Sequence, residues 1–167
     1  MQNLFTQLPG NSKVWVYQSS REYTESEVKL ITSSIHEFVQ QWASHSRKVI
    51  AGGEVLYNRF VILAADESAF TVSGCSIDSS IHFIKKLEEQ FSIRLFDRLT
   101  VAYRENGKIN TVKQSDFQEM MDKGVVNKDT VVFNNLVSTV NDLNQSWEVP
   151  ASKSWHARLF KQETPAS

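Results

Sequence analysis

Hydrophobic positions between residues 77 and 91 recur three or four residues apart. They are Ile77, Ile81, Ile84, Leu87 and Phe91. This spacing is typical of one buried helix face, and at about 100° per residue the opposite face carries Cys75, Asp78 and His82. Ser76 is the predicted N-cap of this helix. Asp78 would then lie in the first turn, where the helix dipole favours a negative charge.

Two other patterns predict the remaining elements. A helical stripe covers residues 28–42 and follows Thr24 and Glu27, which have the spacing of a capping box. Shorter helical segments are predicted within residues 115–124, 136–147 and 154–160. Runs of β-branched and aromatic residues predict strands at residues 14–17, 54–57, 60–65, 99–103, 108–112 and 130–133.

The turn residues support this division. Gly52-Gly53 interrupts the chain before the second strand, Asn58 is the expected turn residue between the second and third strands, and Asn106-Gly107 is a strong hairpin signal. Residues 60–65 are apolar on both faces, which predicts a central strand covered on both sides.

The order of elements predicts an α+β fold. From about residue 13 to 104 it matches the ferredoxin-like split βαβ plan, with an appended hairpin–helix–strand and a C-terminal helical segment. With 167 residues, the chain suits a single domain, made of an α+β core half at residues 1–97 and a second half at residues 98–167.

Composition narrows the possible partners. The formal net charge is -1, so electrostatics does not favour nucleic acid or an anionic membrane as a binding partner. The one cysteine cannot form an internal disulfide, as expected in a reducing compartment. Residues 1–5 lack the basic and apolar regions of a signal peptide, and the apolar run at residues 60–65 is too short to span a bilayer. We therefore expect a cytoplasmic protein.

Several catalytic and cofactor motifs do not occur in the sequence. There is no G-x-x-x-x-G-K-[ST], G-x-G-x-x-G, H-E-x-x-H or C-x-x-C pattern. We expect no cofactor, no metal site and no ATPase activity.

The segment around Cys75 is the main candidate site. A cysteine at a helix N-terminus commonly has more thiolate character, and the free amides there can hold an anion. Cys75, Ser76, Asp78 and His82 would then form a reactive thiol site or an anion cradle. The favoured alternative is structural: Cys75 is a small inert residue in a tight loop, Asp78 caps the helix, and His82 is a solvated surface residue.

A second group of candidates lies near the C-terminus. Trp155, His156 and Arg158 belong to a segment that is most simply anchored to the core by its aromatic residues. Alternatively, it lays His156 and Arg158 over the Cys75 helix start. Arg59 would add a second positive charge, and together these residues would form an anion-binding pocket.

A nucleophilic role for Cys75 would need a base, because thiols in such enzymes are activated by a neighbouring group. His82 is nearly two helical turns away, about 10 Å of rise. The better candidates for the base are His156 and His45.

Five sequence runs resemble a family of short bacterial proteins that are often labelled "ABC transporter ATPase". They are WVYQ at 15–18, YNRF at 57–60, SGCSID at 73–78, VFNNLV at 132–137 and WEVP to SWH at 147–156. The resemblance covers nearly the whole chain but implies no activity. The ATPase label does not fit this chain, because the nucleotide-binding motifs are missing.

The C-terminal part has a second resemblance. The hairpin at Asn106-Gly107, the segment 115–121, the run 129–133 and Trp147 are similar in order to the elements of GYF-type peptide-binding modules, although a literal Gly-Tyr-Phe is missing. This resemblance implies binding of proline-rich peptides.

Two functions remain open at this point. The first is a non-catalytic binding or interaction domain with its site near the Cys75 helix start, and its partner would be a protein, a peptide or a small anionic ligand. The second is a small enzyme that uses Cys75 as nucleophile, with Asp78 or His156 in support.

Overall fold

The computed structural model describes residues 3–44, 47–68 and 73–160. The chain divides into two compact units. Unit 1 comprises Met1–Asp97 and Asn135–Asn144, and unit 2 comprises Arg98–Asn134 and Gln145–Ser167. Residues 135–144 therefore belong with the N-terminal part of the chain, whereas the sequence pattern assigned them to the C-terminal half.

Unit 1 is built on a three-stranded antiparallel sheet and two long helices. Its elements are β1 (Lys13–Gln18), α1 (Glu25–Gln41), β2 (Ala43–Ser44), β3 (Arg47–Lys48), β4 (Ile50–Leu56), β5 (Phe60–Asp66) and α2 (Gly74–Phe91). The sheet order is β1-β5-β4, and β2 pairs with β3 in a separate two-stranded ladder. The first six residues of β5 are buried, which confirms the predicted central strand.

The core of unit 1 lies between this sheet and the two helices. Its members include fully or almost fully buried residues from α1, β5 and α2: Ile31, Ile35, Val61, Leu63, Ile84 and Leu87. Burying an aliphatic side chain of this size stabilises a protein by roughly 1.5–3 kcal/mol. The hydrophobic stripes seen in the sequence are therefore the contacts that hold both helices to the sheet.

The start of α1 has the predicted capping box. The Thr24 hydroxyl accepts a hydrogen bond from the Glu27 amide at 3.2 Å, and the Glu27 carboxylate accepts one from the Thr24 amide at 2.9 Å. Arg21 donates two further hydrogen bonds to Glu27, each 2.8 Å long. The Arg21 and Thr24 bonds lower the pKa of Glu27 to about 2. Local sequence thus determines where this helix begins.

Gly52 and Gly53 do not break the chain as expected, because both lie inside β4. A Cβ atom on Gly53 would be 2.4 Å from the Ile35 Cγ2 atom. The glycine therefore allows α1 to lie close against the strand, which is a recognised role of glycine in sheets. The glycine pair marks close packing here and not a loop.

Unit 2 contains a four-stranded antiparallel sheet with one short helix. Its elements are β6 (Thr100–Glu105), β7 (Lys108–Lys113), α3 (Gln114–Asp122), β8 (Val131–Phe133) and β9 (Glu148–Pro150), and α4 (Val140–Ser146) begins in unit 1 and ends in unit 2. Two 3₁₀ turns follow, at Ala151–Lys153 and Trp155–Leu159. The sheet order is β7-β6-β8-β9, and its core includes Tyr103, Phe117 and Val132.

These elements confirm the α+β class, and the detailed topology corrects one expectation. In unit 1, β5 lies between β1 and β4 and is antiparallel to both, as in a split βαβ arrangement. The fourth strand of that plan was expected near residue 100. This segment, β6, instead pairs with β7 on one edge and with β8 on the other. Neither edge of β6 is therefore free to pair with β1. The edge of β1 pairs instead with residues 138–139, through a bridge between Lys13 and Thr139.

In the part of the chain that the structure describes, no helix combines the length and the apolar character needed to cross a membrane.

Candidate functional site

The helix that carries Cys75 begins earlier than the sequence suggested. Ser73 is its N-cap, and the Ser73 hydroxyl accepts a hydrogen bond from the Ser76 amide at 3.2 Å. Ser76, the expected cap, is the third residue of α2. Asp78 consequently lies in the second turn, beyond the part of the helix where the dipole acts most strongly.

The side chain of Ser76 is buried and is not part of an exposed site. Its hydroxyl lies 3.2 Å from the hydroxyl of Ser73, and its carbonyl oxygen accepts a hydrogen bond from Trp42 Nε1 at 2.8 Å. Ser80, one turn further, is also buried. The buried Ser76 side chain and its hydrogen-bonded carbonyl group therefore belong to the contact between the start of α2 and Trp42, which is a structural role.

The other three candidates on α2 are exposed. Cys75, Asp78 and His82 all have exposed side chains, as expected for the face opposite the core. Among the described residues, no imidazole or carboxylate group forms a hydrogen bond to Cys75 Sγ; the Ser79 hydroxyl bonds to the Cys75 carbonyl oxygen at 3.0 Å. Within the same residues, no group of three or more potential metal ligands occurs. This face offers an accessible thiol together with a carboxylate and an imidazole.

Arg59 lies at the other end of α2, which makes its proposed role beside Cys75 wrong. Its carbonyl oxygen accepts a hydrogen bond from the Ser19 amide at 2.7 Å, and the neighbouring Ser20 amide bonds to the carbonyl oxygen of Arg94, just after the end of α2. A helix of 18 residues is about 27 Å long. Arg59 therefore adds no charge to the Cys75 helix start.

His156 lies inside unit 2 and is only 1% exposed. Its ring stacks on Trp155 with 3.9 Å between the centroids, and it contacts Phe117 edge-on at 6.2 Å. The Ser154 hydroxyl lies 2.6 Å from Nδ1. Burial lowers the pKa of His156 to about 4. The imidazole is thus neutral near pH 7 and cannot supply the positive charge that the anion pocket required.

The residues around His156 anchor the C-terminal segment to unit 2. Trp155, Leu159 and Phe160 are partly buried and pack on the core that contains Phe117. Arg158 is exposed. The hypothesis that this segment covers the Cys75 helix start stays a prediction. His45, the other candidate base, lies outside the described residues.

Sequence reasoning missed two residues that shape these regions. Trp42 was seen only as part of the α1 stripe, although its indole nitrogen bonds to the start of α2. Tyr23 precedes the capping box and is 4% exposed, with a hydroxyl group that has no hydrogen-bond partner of good geometry among the described residues. A lone aromatic residue just before a helix gives no periodic signal.

Comparisons of the chain with protein-family models, with curated proteins and with solved structures give no match.

Proposed function

We propose that this protein is a non-catalytic binding domain and that the exposed face of α2 near Cys75 forms part of its recognised surface. One observation carries the proposal: the Cys75 thiol is exposed, and no base among the described residues is hydrogen-bonded to it. Its partner is a protein, a peptide or a small anionic ligand.

The surroundings of Cys75 also disfavour the alternative, a cysteine-dependent enzyme. Such an enzyme needs a base within hydrogen-bond reach of the thiol, itself held by a third group. His156 is buried and bonded to Ser154. Asp78 is three residues from Cys75 on α2, so the two side chains are neighbours, but no hydrogen bond joins the Asp78 carboxylate to the Cys75 thiol.

The pH dependence of Cys75 alkylation distinguishes this proposal from the enzyme. Because the protein has one cysteine, the reaction with iodoacetamide reports on that residue alone. We expect the folded protein to react no faster than the urea-denatured protein at any pH, because no base among the described residues is hydrogen-bonded to the thiol. Cys75→Ser is the control for reaction at other groups. A folded-state reaction that stays fast one or two pH units below the denatured profile would favour the enzyme.

A second candidate function follows from unit 2 and its similarity to GYF-type modules. Proline-rich peptides bind to grooves lined by aromatic side chains. Trp155 is partly buried, and one face of its ring is held by the stack on His156. The remaining surface of this ring is a suitable contact for such a peptide.

Peptide binding by unit 2 is tested with a short proline-rich peptide and the indole N–H signals in NMR spectra. Titration should shift the Trp155 signal, and Trp155→Ala should abolish binding. Trp147 is the matched control, because it is 2% exposed and packs edge-on against Phe133. Shifts of equal size at both indoles, or none at Trp155, would contradict this function.

A further inference from the structure

In the described part of unit 1, one end holds two buried polar groups that form no hydrogen bond of good geometry. Among the described residues, the Tyr23 hydroxyl and the Nη1 atom of Arg59 have no hydrogen-bond partner of good geometry. Tyr23 is 4% exposed, whereas Arg59 is half-buried. Buried donors are nearly always satisfied in folded proteins, so two such groups side by side require an explanation.

The backbone holds these two residues together. The Tyr23 amide donates a hydrogen bond to the carbonyl oxygen of Asn58 at 2.7 Å, and the Ser19 amide donates one to the carbonyl oxygen of Arg59 at 2.7 Å. Residues 19–23 are thereby fixed along the turn between β4 and β5. These contacts hold the main chain at Tyr23 close to the main chain at Asn58 and Arg59.

The electrostatic effects agree with this proximity. Burial raises the pKa of Tyr23 to about 12, while a weak hydrogen-bonding contact with the Ser19 hydroxyl and the charges of Arg21 and Arg59 lower it. Burial lowers the pKa of Arg59, and the charges of Glu22 and Tyr23 raise it. Near pH 7 the pair therefore consists of a neutral phenol and a cationic guanidinium group, and both can donate a hydrogen bond.

The other arginines at this end are different. Arg21 is bonded to both carboxylate oxygens of Glu27 and to the carbonyl oxygen of Phe91, each at 2.8 Å. Arg94 is exposed, so water solvates its guanidinium group. Arg59 is the arginine at this end that combines a positive charge with a buried, unpartnered donor, within the residues that the structure describes.

We propose that Arg59 and Tyr23 form a binding site for a small oxyanion. A guanidinium group presents parallel N–H donors that match a phosphate or carboxylate group, and the nearby phenol is a further donor. Because Arg59 is only half-buried, a ligand can reach its side chain from the surface. Glu22, which is exposed, lies near enough to compete for the same charge.

This site is separate from the α2 face near Cys75, since Arg59 lies at the opposite end of that helix. The oxyanion site and the proposed binding surface can therefore fail independently. The alkylation and peptide experiments do not test the oxyanion site, and anion-dependent stability does not test the surface near Cys75 or peptide binding by unit 2.

Thermal unfolding of the full chain in different sodium salts tests the site. A ligand that binds only the folded state raises Tm with its concentration. At equal ionic strength we expect phosphate, acetate or both to raise Tm above the value in chloride, and the two salts separate a phosphate site from a carboxylate site. If neither anion exceeds chloride, the proposal is wrong.

Four variants locate the effect. Arg59→Met should remove the anion-dependent rise, and Tyr23→Phe should weaken apparent affinity by about tenfold, the loss expected for one hydrogen bond to an anion. Glu22→Gln should strengthen affinity by removing the competing carboxylate. Arg94→Met is the matched control and should keep the rise. An equal loss in the Arg59 and Arg94 variants would indicate non-specific charge effects and overturn the proposal.

NMR provides a measurement that needs no variant. Titration of the wild-type protein with the effective anion should shift the amide signals of residues 19–23 and 58–59 and the Arg59 Nε–H signal. Shifts confined to other regions would overturn the site even if Tm rises.

Discussion

The imidazole of His156 is enclosed by the rings of Trp155 and Phe117, and protonation there would place a charge in the core of unit 2. Its pKa falls from 6.5 to about 4 on folding because of burial. Between these pH values the unfolded chain binds the proton and the folded protein does not. The contribution of the neutral imidazole to the free energy of unfolding is therefore full above about pH 6.5. It decreases as the pH falls towards 4, by up to about 3 kcal/mol.

Urea unfolding at a series of pH values measures this dependence. His156→Gln keeps a polar partner for Ser154 without a titrating ring, so its free energy of unfolding should change less between pH 6.5 and 4. NMR titration of the wild-type imidazole gives an independent check. Protonation of His156 in the folded protein near pH 6.5 would contradict the prediction. The Glu27 carboxylate, whose pKa falls from 4.5 to about 2, adds its own loss of stability as the pH falls from about 4.5 to 2, so most of that loss lies below the His156 range.

At the scale of single elements, two glycines should respond to alanine in opposite directions. In Gly53→Ala the new methyl group would lie 2.4 Å from the Ile35 Cγ2 atom and 3.0 Å from the Leu63 Cδ2 atom, both in the core of unit 1. Overpacking of this kind costs roughly 1–3 kcal/mol. The loss should appear as a lower urea midpoint with an unchanged m-value.

Gly74→Ala is the matched control. Among the described residues, and apart from its chain neighbours and its own helix backbone, no atom lies within 4 Å of a Cβ placed there, and Gly74 is the first residue of α2. Alanine favours helix over glycine by up to about 1 kcal/mol, so this variant should be as stable as the wild type or more stable. If both variants lost stability equally, the close approach of α1 to β4 would not explain Gly53.

These elements also show what the sequence can predict. Local signals were reliable: Thr24 and Glu27 form their capping box, and Asn106-Gly107 turns β6 into β7 with positive φ at both residues. Signals that depend on distant partners were not. Ser76 looked like a cap, but Ser73 takes that position, and Ser76 is buried near Trp42, 34 residues earlier in the chain.

At the scale of the whole molecule, the assignment of segments to units depends on long-range pairing that periodicity does not reveal. The candidate site residues show the same limit. The sequence placed Cys75, Asp78 and His82 on one exposed face, which follows from helical spacing alone. It also grouped Arg59 with them. Arg59 comes before β5 and the start of α2 comes after it, so the length of this strand separates the two. A helical repeat predicts which residues share a face, but only the tertiary structure shows which end of a sheet they reach.

The N-terminal arm illustrates such a long-range contact and gives the last prediction. The Asn144 side chain accepts a hydrogen bond from the Leu4 amide at 2.8 Å and donates one to the Leu4 carbonyl oxygen at 3.1 Å. Phe5 and Leu8 of the same arm are buried. Asn144→Ala removes both bonds, so we expect it to lower the free energy of unfolding by about 1–2 kcal/mol and to expose the arm.

Limited proteolysis and amide hydrogen exchange detect this exposure, because both report local opening as well as global unfolding. In Asn144→Ala, cleavage within residues 3–12 should become faster relative to cleavage elsewhere. Asn144→Asp keeps the acceptor for the Leu4 amide but loses the donor to the Leu4 carbonyl oxygen. At low pH, where the new carboxyl group is protonated and does not repel that oxygen, its effect should be smaller than that of Asn144→Ala. If the arm is equally protected in all variants, the buried side chains of Phe5 and Leu8 hold it without Asn144.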